Sequence, residues 1–482
     1  MKYSGLLRWV FTFYLVFAFY ISLTFTIQFA YFEVPQQSAG AGGSSAAYWV
    51  SEAFANSSVK INTTVYEQSS RIGGRTKIIK YERDGISIPI ELGASIFVDV
   101  NYYIVENAKK FGLEFMKYGE EMENSKTGIW NGDEFVFEQS SNSYWDTARI
   151  LWKYGWAPIK VQNLVKEIIG KFLEEYKYDK PFTSIDSEAE RLQLDKEIKF
   201  TAQYYFSELE KINQLYLKHF VEPMTRVNYA QNLAELHAMG AFISLAPQGA
   251  KSIKGGNYQL FEKFIEHSGA NLKLDTKIVK VTKLKSPGGI NNMKYIVKTK
   301  DGSSEEYDAI ILAAPIQFTG IEFENMDFKI KEIPYITLHV TLITGYVNPA
   351  YFGRAKIDDV PEQIVTTNSE KCEFLSFAGK LQLPNGETIS KLFSHQELSD
   401  EMLDRLYTSR SWTFRKVWKS YPKLLPNQTF PPLEPDENFF YINSFEPYIS
   451  TMETECVSSR NIVKLLAERW DGIYLQPIKA KL

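Results

Sequence analysis

The chain has 482 residues, 44% hydrophobic and 23% charged, with a formal net charge of −4 and a pI near 5.9. It is therefore globular and too long for one simple core, and its acidic balance excludes the basic surface that nucleic-acid-binding proteins need. Only Cys372 and Cys456 are present, which excludes a disulfide framework and a thiolate metal site, and the five histidines have no metal-ligand spacing.

The first 32 residues carry the features of a targeting segment. Lys2 and Arg8 precede an uncharged stretch from Trp9 to Phe32, which is long enough to span a bilayer. Polar residues dilute this stretch, so a signal peptide and an uncleaved membrane anchor fit it equally well. Both interpretations send the rest of the chain into the secretory pathway, and an anchor would attach it to a membrane.

A glycine-rich segment, Ser38-Ala-Gly-Ala-Gly-Gly43, follows and leads into a helix-forming stretch. Gly40 and Gly43 fit the second and third glycines of a dinucleotide-binding Gly-x-Gly-x-x-Gly motif, with Ser38 in the place of the first. A flexible linker is the alternative interpretation of such a segment.

The strand expected before this motif is not evident. Residues 33–37 are polar and include Pro35, which lacks a donor for a strand ladder. We therefore expect the first strand of the dinucleotide fold to be missing or replaced, as a wrongly joined first exon would leave it. The alternative is that residues 25–32 serve as the strand, with residues 35–37 as an inserted bulge.

The next segment predicts one half of an FAD site. An apolar strand from Val59 ends in Glu67, 24 positions after Gly43, where an acid can hold a ribose hydroxyl. The motif Arg71-Ile-Gly-Gly-Arg75 follows, and its glycines would admit a pyrophosphate that the arginines neutralise. Glu91-Leu-Gly-Ala94 completes the segment.

The middle of the chain predicts a helical insert. Residues 103–111 have a helical pattern, and residues 128–137 predict a hairpin that turns at Asn131-Gly132. Apolar residues then recur at helical spacing from Asp146 to Tyr178, with Pro158 starting a second helix. This insert extends to about residue 220; it would cover a substrate or merely complete the core.

Strand patterns return at residues 277–283, 295–298 and 307–312. The last is a continuous apolar run, typical of a strand buried on both faces of a parallel sheet. Residues 318–433 predict a second lobe, residues 441–444 are strand-like, and residues 451–466 predict a helix.

With these motifs, the chain resembles the prenylcysteine oxidase family, FAD-dependent thioether oxidases related to the flavin amine oxidases. The glycine-arginine motif is shared across flavoproteins, whereas the block Thr225-Arg-Val-Asn-Tyr229 and the closing segments point to this family. The remaining matching segments are residues 222–224, 254–257, 307–315, 439–446 and 450–455.

The resemblance implies an α/β protein with a two-part FAD-binding Rossmann-like fold of the amine-oxidase type and a mixed α+β substrate domain. The implied segments are a signal peptide or anchor (1–32), a first FAD-binding segment (38–110), a helical substrate-domain insert (111–220), a second FAD-binding segment (221–317), a substrate lobe (318–433) and a C-terminal FAD-binding segment (434–482).

The implied reaction oxidises S-farnesyl or S-geranylgeranyl cysteine with molecular oxygen, giving a prenyl aldehyde, free cysteine and hydrogen peroxide. The implied location is a lysosome or vacuole, or the outside of the cell. Sequons begin at Asn56, Asn62 and Asn427; we expect glycans at Asn56 and Asn427, because Asn62 lies inside the predicted second strand.

The sites follow from the motifs and the resemblance together. The expected cofactor-binding residues are Gly40, Gly42, Gly43, Glu67, Arg71, Gly73, Gly74, Arg75, Gly93, Ala94, Ile278, Val279, Ala314, Met452 and Glu453. No catalytic residue is identified, and the candidates are Arg226, His237, Lys254 and Glu446, each of which also fits an ordinary structural role. No metal is expected.

Two further functions remain open. The glycine-arginine motif equally fits another flavin oxidase, of the amine oxidase or desaturase kind. A missing first strand would instead favour a non-catalytic, lipid-binding glycoprotein that has lost FAD binding.

Overall fold

The computed structural model describes residues 26–32, 39–83, 85–117, 126–140, 143–247, 249–284 and 294–471. The strands are β1 (Thr26–Phe32), β2 (Lys60–Tyr66), β3 (Lys77–Arg83), β4 (Ile86–Gly93), β5 (Phe115–Lys117), β6 (Thr127–Trp130), β7 (Phe135–Glu138), β8 (Lys251–Ile253), β9 (Asn271–Lys273), β10 (Ile278–Leu284), β11 (Lys294–Thr299), β12 (Ser304–Tyr307), β13 (Ala309–Leu312), β14 (Glu322–Glu324), β15 (Tyr335–Val347), β16 (Gln363–Thr366), β17 (Ser376–Gln382), β18 (Thr388–Ser394), β19 (Tyr407–Pro422) and β20 (Phe439–Tyr441).

The helices are α1 (Ala41–Phe54), α2 (Tyr102–Lys110), α3 (Ser143–Tyr154), α4 (Ala157–Leu173), α5 (Ile185–Arg191), α6 (Asp195–Lys199), α7 (Ala202–Tyr204), α8 (Gln214–Tyr216), α9 (Glu222–Tyr229), α10 (Ala238–Leu245), α11 (Tyr258–Ser268), α12 (Asp400–Leu406) and α13 (Met452–Asp471). Two π-helical turns, Tyr205–Leu209 and Leu217–Val221, follow α7 and α8.

A five-stranded parallel sheet in the order β20-β13-β1-β2-β9 forms the centre of the molecule. β1 lies in the middle, from Thr26 opposite Lys60 to Tyr31 opposite Val65 on one side, and beside β13 on the other. The expectation that the first strand is missing is therefore wrong. Residues 26–32 supply it, and the proposed bulge at residues 35–37 lies outside the described residues.

The strand also corrects the predicted boundary of the N-terminal segment. Because residues 26–32 belong to the central sheet, the targeting segment cannot extend to residue 32 as predicted. Residues 1–25 lie outside the described residues. Within the described ranges, no helix has the length and apolar character needed to cross a bilayer.

Small residues let α1 pack closely against the C-terminal helix. Ala46 and Ala47 of α1 are fully buried, and the hydroxyl oxygens of Ser45 and Ser459 are 2.7 Å apart across the α1–α13 contact. On its other side, α1 packs against α11 through Tyr48 and Phe264, whose ring centroids are 5.0 Å apart. The predicted helix at residues 451–466 is confirmed as α13 and continues to Asp471.

The third predicted strand of the second half is split in two. Ala309–Leu312 is wholly buried in the parallel sheet as β13, as its apolar run predicts. Tyr307 instead ends β12, which pairs with β11 in a separate four-stranded sheet of order β12-β11-β10-β14. Likewise, the strand predicted at residues 441–444 ends at Tyr441, and a short 3₁₀ turn follows.

A seven-stranded sheet of order β19-β15-β18-β17-β16-β6-β7 builds the second lobe. The predicted hairpin is confirmed as β6 and β7, and the Asn131 side chain accepts hydrogen bonds from the turn. β6 pairs in parallel with β16, so the hairpin joins the sheet of residues 335–422 rather than the helical insert.

In the region of the predicted helical insert, residues 143–221 form α3 to α8 and the two π-helical turns. Pro158 lies in the first turn of α4, where its missing N–H costs no hydrogen bond. Ile168 and Phe172 of α4 are buried, and so are Tyr205 and Phe206 in the first π-helical turn. The insert thus has its own apolar contacts and lies opposite the seven-stranded sheet across a cavity.

Candidate cofactor and substrate site

A cavity of about 800 Å³ lies between the central sheet, the helical insert and the seven-stranded sheet. Its first end is lined by the glycine-rich start of α1, by residues 73–76 and by the start of α13. The rest of its wall comes from α4, α9, α10 and the face of the seven-stranded sheet. One continuous space therefore connects the predicted cofactor end with the predicted substrate lobe.

The N-terminus of α1 is suited to bind an anion. Its first turn has no side-chain cap and no acidic residue, and the earliest intrahelical hydrogen bond runs from the Ser44 N–H to the Gly40 carbonyl, 3.1 Å. The preceding N–H groups have no acceptor within the helix, and the helix dipole adds a positive end. This arrangement fits the diphosphate of a dinucleotide.

Close packing around Gly42 explains why glycine stands there. A Cβ atom on Gly42 would lie 2.9 Å from Oε2 of Glu455 and 3.0 Å from the Ile442 side chain. The first turn of α1 can therefore pack this closely against α13 and Ile442 only while this position has no side chain. Gly40 and Gly42 line the cavity, and Gly43 is buried in the same turn.

The second glycine motif is joined to the first through the backbone. The Gly73 N–H donates to the Ala39 carbonyl at 2.9 Å, and Gly73 has a φ of +112°, which favours glycine. Gly73 and Gly74 both line the cavity, as do Gly93 and Ala94 after β4. The sequence separates these segments, and the fold brings them together at one end of the cavity.

The guanidinium of Arg71 stabilises its own loop. It donates to the carbonyls of Ile72 at 3.1 Å, Thr76 at 3.2 Å and Gly74 at 2.5 Å, and burial lowers its pKa. The contribution of Arg71 to a cofactor site through its charge stays a prediction. In the structure, its hydrogen bonds stabilise the glycine turn.

Several other predicted cofactor residues lie deeper in the dinucleotide domain. Glu67 is fully buried at the end of β2, and its carboxylate accepts the Ser69 N–H at 2.5 Å. Ile278 is buried in β10, whereas Val279 is half-buried. Ala314 is buried directly after Ala313, which does line the cavity. Of the described lining residues, none is Glu67, Ile278, Val279 or Ala314, and their predicted contacts remain predictions.

Met452 and Glu453 line the cavity at the start of α13. The carboxylate of Glu453 accepts the N–H groups of Tyr103 and Ile104, at 2.8 and 2.9 Å, and the Tyr176 hydroxyl at 2.7 Å. It therefore caps α2, and burial raises its pKa to about 7. The cap fixes the start of α13 against α2 and the end of the insert helix.

Glu446 positions Arg75 rather than facing the cavity. Its buried carboxylate lies 2.5 Å from the Arg75 guanidinium and accepts the hydroxyls of Tyr335 at 2.7 Å and Ser450 at 3.2 Å. Arg75 lines the cavity, whereas Glu446 is not among its described lining residues. In the structure Glu446 is the counter-ion of Arg75, and its candidate catalytic role stays a prediction.

Arg226 likewise makes structural contacts, and its candidate catalytic role stays a prediction. Its guanidinium donates to the carbonyl and hydroxyl of Thr366 at 3.1 and 3.2 Å, and to Oδ1 of Asn232 at 2.9 Å. These contacts tie α9 to the end of β16. The residues of α9 that line the cavity are Met224, Val227, Asn228 and Tyr229.

His237 and Lys254 are also structural. His237 is fully buried and caps α10 by accepting the Gly240 N–H at 3.1 Å, while its Nε2 lies 3.1 Å from the Pro447 carbonyl; burial lowers its pKa to about 4. Lys254 is 68% exposed and pairs with Glu114 at 3.1 Å. Neither is among the described residues that line the cavity, and their candidate catalytic roles stay predictions.

Two charged lining residues were missed by the sequence analysis. Lys391 on β18 is buried, and its ammonium donates to the Glu91 carbonyl at 2.8 Å and the Ser95 hydroxyl at 3.0 Å. Glu455 in α13 is fully buried, which raises its pKa to about 8; nearby Glu446 acts in the same direction and Arg75 opposes it.

The wall opposite the glycine motifs is apolar and large enough for a hydrocarbon chain. Side chains from the insert and from the sheet contribute to it, with few polar groups among them. They are Ile169, Phe172, Leu173, Met224, Val227, Ile243, Leu245, Leu338, Ile364, Val365, Phe377 and Phe393. An elongated apolar ligand fits such a wall.

The comparisons with known proteins agree with this geometry. The family model described as prenylcysteine lyase matches residues 137–476, more than half of the chain, and a model of the NAD(P)-binding Rossmann-like domain matches residues 39–111. The chain belongs to the prenylcysteine lyase family. The resemblance and the fold class predicted from the motifs are thereby confirmed.

Several relatives align with most of this chain. It is 28% identical over 450 residues to farnesylcysteine lyase of Arabidopsis thaliana, covering 89% of this chain and 87% of that protein. It is 27% identical over 460 residues to prenylcysteine oxidase 1 of Mus musculus, covering 90% and 88%. The human prenylcysteine oxidase 1 is 26% identical over 459 residues, with the same coverage.

Solved structures of amine oxidases share the fold. A cyclohexylamine oxidase from Brevibacterium oxydans has a TM-score of 0.58 at 12% identity, covering 92% of this chain and 99% of that one. A triple mutant of putrescine oxidase has a TM-score of 0.57 at 12% identity, covering 92% and 100%. The likeness to these amine oxidases shows that this prenylcysteine lyase family member shares their fold.

The asparagines of the three sequons lie on the surface. Asn56 and Asn427 are exposed, as glycosylation requires, and Asn62 is exposed as well, on β2. Cys372 and Cys456 are both free thiols, so the two do not form a bridge with each other. Within the described ranges, no group of three metal-ligating side chains comes together.

Proposed function

We propose that this protein is an FAD-dependent thioether oxidase that cleaves S-prenyl cysteine to a prenyl aldehyde, free cysteine and hydrogen peroxide. The observation that carries the proposal is the continuous cavity, in which the open N-terminus of α1 faces one end and an apolar wall lines the other. Membership of the prenylcysteine lyase family, and the names of its relatives, support the substrate class.

The described residues fit FAD in charge and in space. Gly42 and Gly73 have no room for a Cβ atom, and the uncapped turn of α1 offers N–H donors to a diphosphate. Arg75, held by Glu446, places a fixed positive charge on the cavity wall. Bound flavin would supply the two-electron oxidation of the carbon next to sulfur.

The protein's own contribution is to bind and orient the substrate, while one water must reach the oxidised carbon and supply the oxygen of the aldehyde. The apolar wall would hold the isoprenoid tail, so that the carbon attached to sulfur faces the cofactor end of the cavity. Lys391, which also lines the cavity, would hold the carboxylate of the substrate's cysteine. Loss of a hydride from a carbon that is both allylic and bonded to sulfur needs little acid–base assistance.

Steady-state oxidation tests the proposal against the amine-oxidase alternative. We expect oxygen consumption with S-farnesyl cysteine, with one equivalent each of farnesal, cysteine and hydrogen peroxide. A panel that includes putrescine and cyclohexylamine serves as the matched control, because the amine oxidases share only the fold. Turnover of amines without turnover of the prenylcysteine would contradict the proposal.

A non-catalytic lipid-binding function loses its supporting observation. It rested on a missing first strand, and β1 occupies that place in the central sheet. The dinucleotide fold is therefore complete in its strands.

We also propose that the protein enters the secretory pathway through its N-terminal segment and reaches a lysosome or vacuole. The uncharged N-terminal stretch and the exposed Asn56 and Asn427 support this location. Expression in a eukaryotic host should yield a protein whose mass falls on treatment with an endoglycosidase. Substituting both asparagines by glutamine should abolish that shift, and an unchanged shift would place the glycans elsewhere.

A further inference from the structure

The corner between α3 and α4 exposes large aromatic side chains to solvent. Trp152 at the end of α3 is 90% exposed, and Trp156 before α4 is 75% exposed. Tyr144, Trp145 and Ile159 on the same two helices are also exposed. Globular proteins bury most of their tryptophan surface, so an exposed cluster of this size marks an interaction surface. We call residues 144–160 the aromatic corner.

The corner is rigid rather than frayed, because its inward side is firmly packed. Tyr154 and Ala157, next to the exposed tryptophans, are buried. The Tyr154 hydroxyl lies 2.8 Å from Nδ1 of His219. Gly155 makes the turn between the helices with a φ of +62°. The two tryptophans therefore point outward because the fold holds them there.

Basic residues surround the corner. Residues 144–167 contain Arg149, Lys153, Lys160 and Lys166; Glu167, which pairs with Lys171, and one acid inside the corner oppose them, in a chain whose net charge is −4. Arg149 pairs with that acid, Asp146, at 2.7 Å, and Lys160 with Glu210 at 3.4 Å. Lys153 and Lys166 are exposed and have no ion pair among the residues that the structure describes.

The same helix connects this corner to the cavity. α4 begins beside Trp156 and ends with Ile169, Phe172 and Leu173 on the cavity wall. At 1.5 Å of rise per residue, Trp156 and Ile169 are about 20 Å apart along the helix. A molecule held at the corner therefore lies within roughly the length of one helix from the apolar wall.

We propose that the aromatic corner docks on the headgroup region of an anionic lipid bilayer. Tryptophan is enriched where a bilayer meets water, and lysine and arginine favour anionic lipid headgroups. The corner combines both at one end of a helical hairpin. The link to catalysis rests on the proposed function: a prenyl chain partitions into bilayers, so docking would bring the cavity wall close to the substrate's source.

The charge pattern favours a bilayer over a protein partner or a second copy. A second copy would meet this basic corner with another basic corner across a two-fold interface, and like charges oppose such contact. An anionic lipid surface instead attracts the unpaired lysines, and its headgroup layer accommodates the protruding aromatic side chains.

Hydrogen–deuterium exchange of the full chain tests the proposal, because it reads the corner separately from the N-terminal segment. We expect slower exchange in peptides from residues 144–160 when vesicles of phosphatidylcholine and phosphatidylglycerol, in a ratio of three to one, are added. Protection should be weaker with phosphatidylcholine alone. Vesicle-bound protein with unchanged exchange at the corner would overturn the proposal, even if residues 1–25 hold the protein on the membrane.

The variant Trp152→Ser/Trp156→Ser should lose this protection, and Lys153→Glu/Lys166→Glu should lose it through charge alone. Val417→Ser is the matched control, since Val417 is an exposed apolar residue on β19 of the other lobe. Protection that rises with protein concentration in the absence of vesicles would indicate a second copy and contradict the proposal.

This result is separable from the proposed function. Exchange needs no turnover, whereas oxidation of S-farnesyl cysteine in detergent micelles needs no bilayer. A protein that oxidises the micellar substrate but shows no protection on vesicles refutes the docking surface alone. Protection without oxidation refutes the oxidase function alone.

Discussion

At the scale of single residues, the site depends on buried charges whose partners are fixed by the fold. Glu446 and Glu453 are held by specific donors, and each fixes a neighbouring group: Arg75 in the first case, the start of α2 in the second. Sequence analysis identified these acids but not their partners, because the groups that contact a buried carboxylate come from distant segments of the chain.

Glu455 makes stability depend on pH. Burial raises its pKa to about 8, whereas a glutamate in the unfolded chain titrates near pH 4. As pH rises between about 4 and about 8, the unfolded state loses this proton while the folded state keeps it, so the free energy of unfolding falls. Each unit of difference in pKa corresponds to about 1.4 kcal/mol.

Glu455→Gln should remove this loss, because the amide stays neutral and has the same shape. Urea unfolding of both proteins at several pH values within that range gives the measurement. As pH rises, the free energy of unfolding of the variant should increase relative to that of the unsubstituted protein. Groups present in both proteins, such as Glu453, contribute equally and cancel in this comparison. Parallel curves for the two proteins would show that Glu455 is ionised when buried.

Lys391 offers a second test at this scale. Its ammonium lies on the cavity wall, where we expect it to attract the carboxylate of S-prenyl cysteine. Lys391→Met should raise KM for S-farnesyl cysteine by roughly tenfold, since charge-assisted hydrogen bonds contribute about 1.5–3 kcal/mol. S-farnesyl cysteamine, which lacks the carboxylate, is the matched control.

For the lysine variant, KM for the cysteamine should hardly change. An equal rise in KM for both substrates would show that Lys391 supports the shape of the cavity through its contacts with Glu91 and Ser95 instead.

At the scale of elements, β1 decides whether the dinucleotide domain exists. It is the middle strand of the parallel sheet and pairs with both β2 and β13. A chain that starts at residue 26 should therefore fold and bind flavin, whereas one that starts at residue 33 should lose cooperative unfolding and flavin together. Circular dichroism and flavin absorbance give the two readings. Flavin binding by the shorter chain would contradict the register of β1.

Several elements followed from the sequence because local patterns decide them. The apolar run of β13, the turn residues of the β6–β7 hairpin and Pro158 at the start of α4 each carry their own signal. β1 was doubted because the polar residues 33–37 separate it from the glycine motif. The pairing of β6 with β16 was not predictable, since a parallel pair between segments more than 200 residues apart leaves no local pattern.

At the scale of the whole molecule, three layers meet at one cavity. The parallel sheet with α1 and α13 provides an anion-binding end, while the seven-stranded sheet and the helical insert enclose an apolar end. The glycine motifs correctly predicted the position of the cavity end that lies beside α1. Two charged residues of the cavity wall, Lys391 and Glu455, were missed because they reach the cavity only through tertiary packing.

The visible absorbance spectrum of the protein, purified from a eukaryotic secretory host, tests this account most directly. We predict an oxidised-flavin spectrum that bleaches when S-farnesyl cysteine is added without oxygen and returns when air is admitted. A flavin spectrum that S-farnesyl cysteine leaves unchanged would contradict the proposed substrate. A folded but colourless protein that gains no absorbance on incubation with FAD would contradict the cofactor site itself.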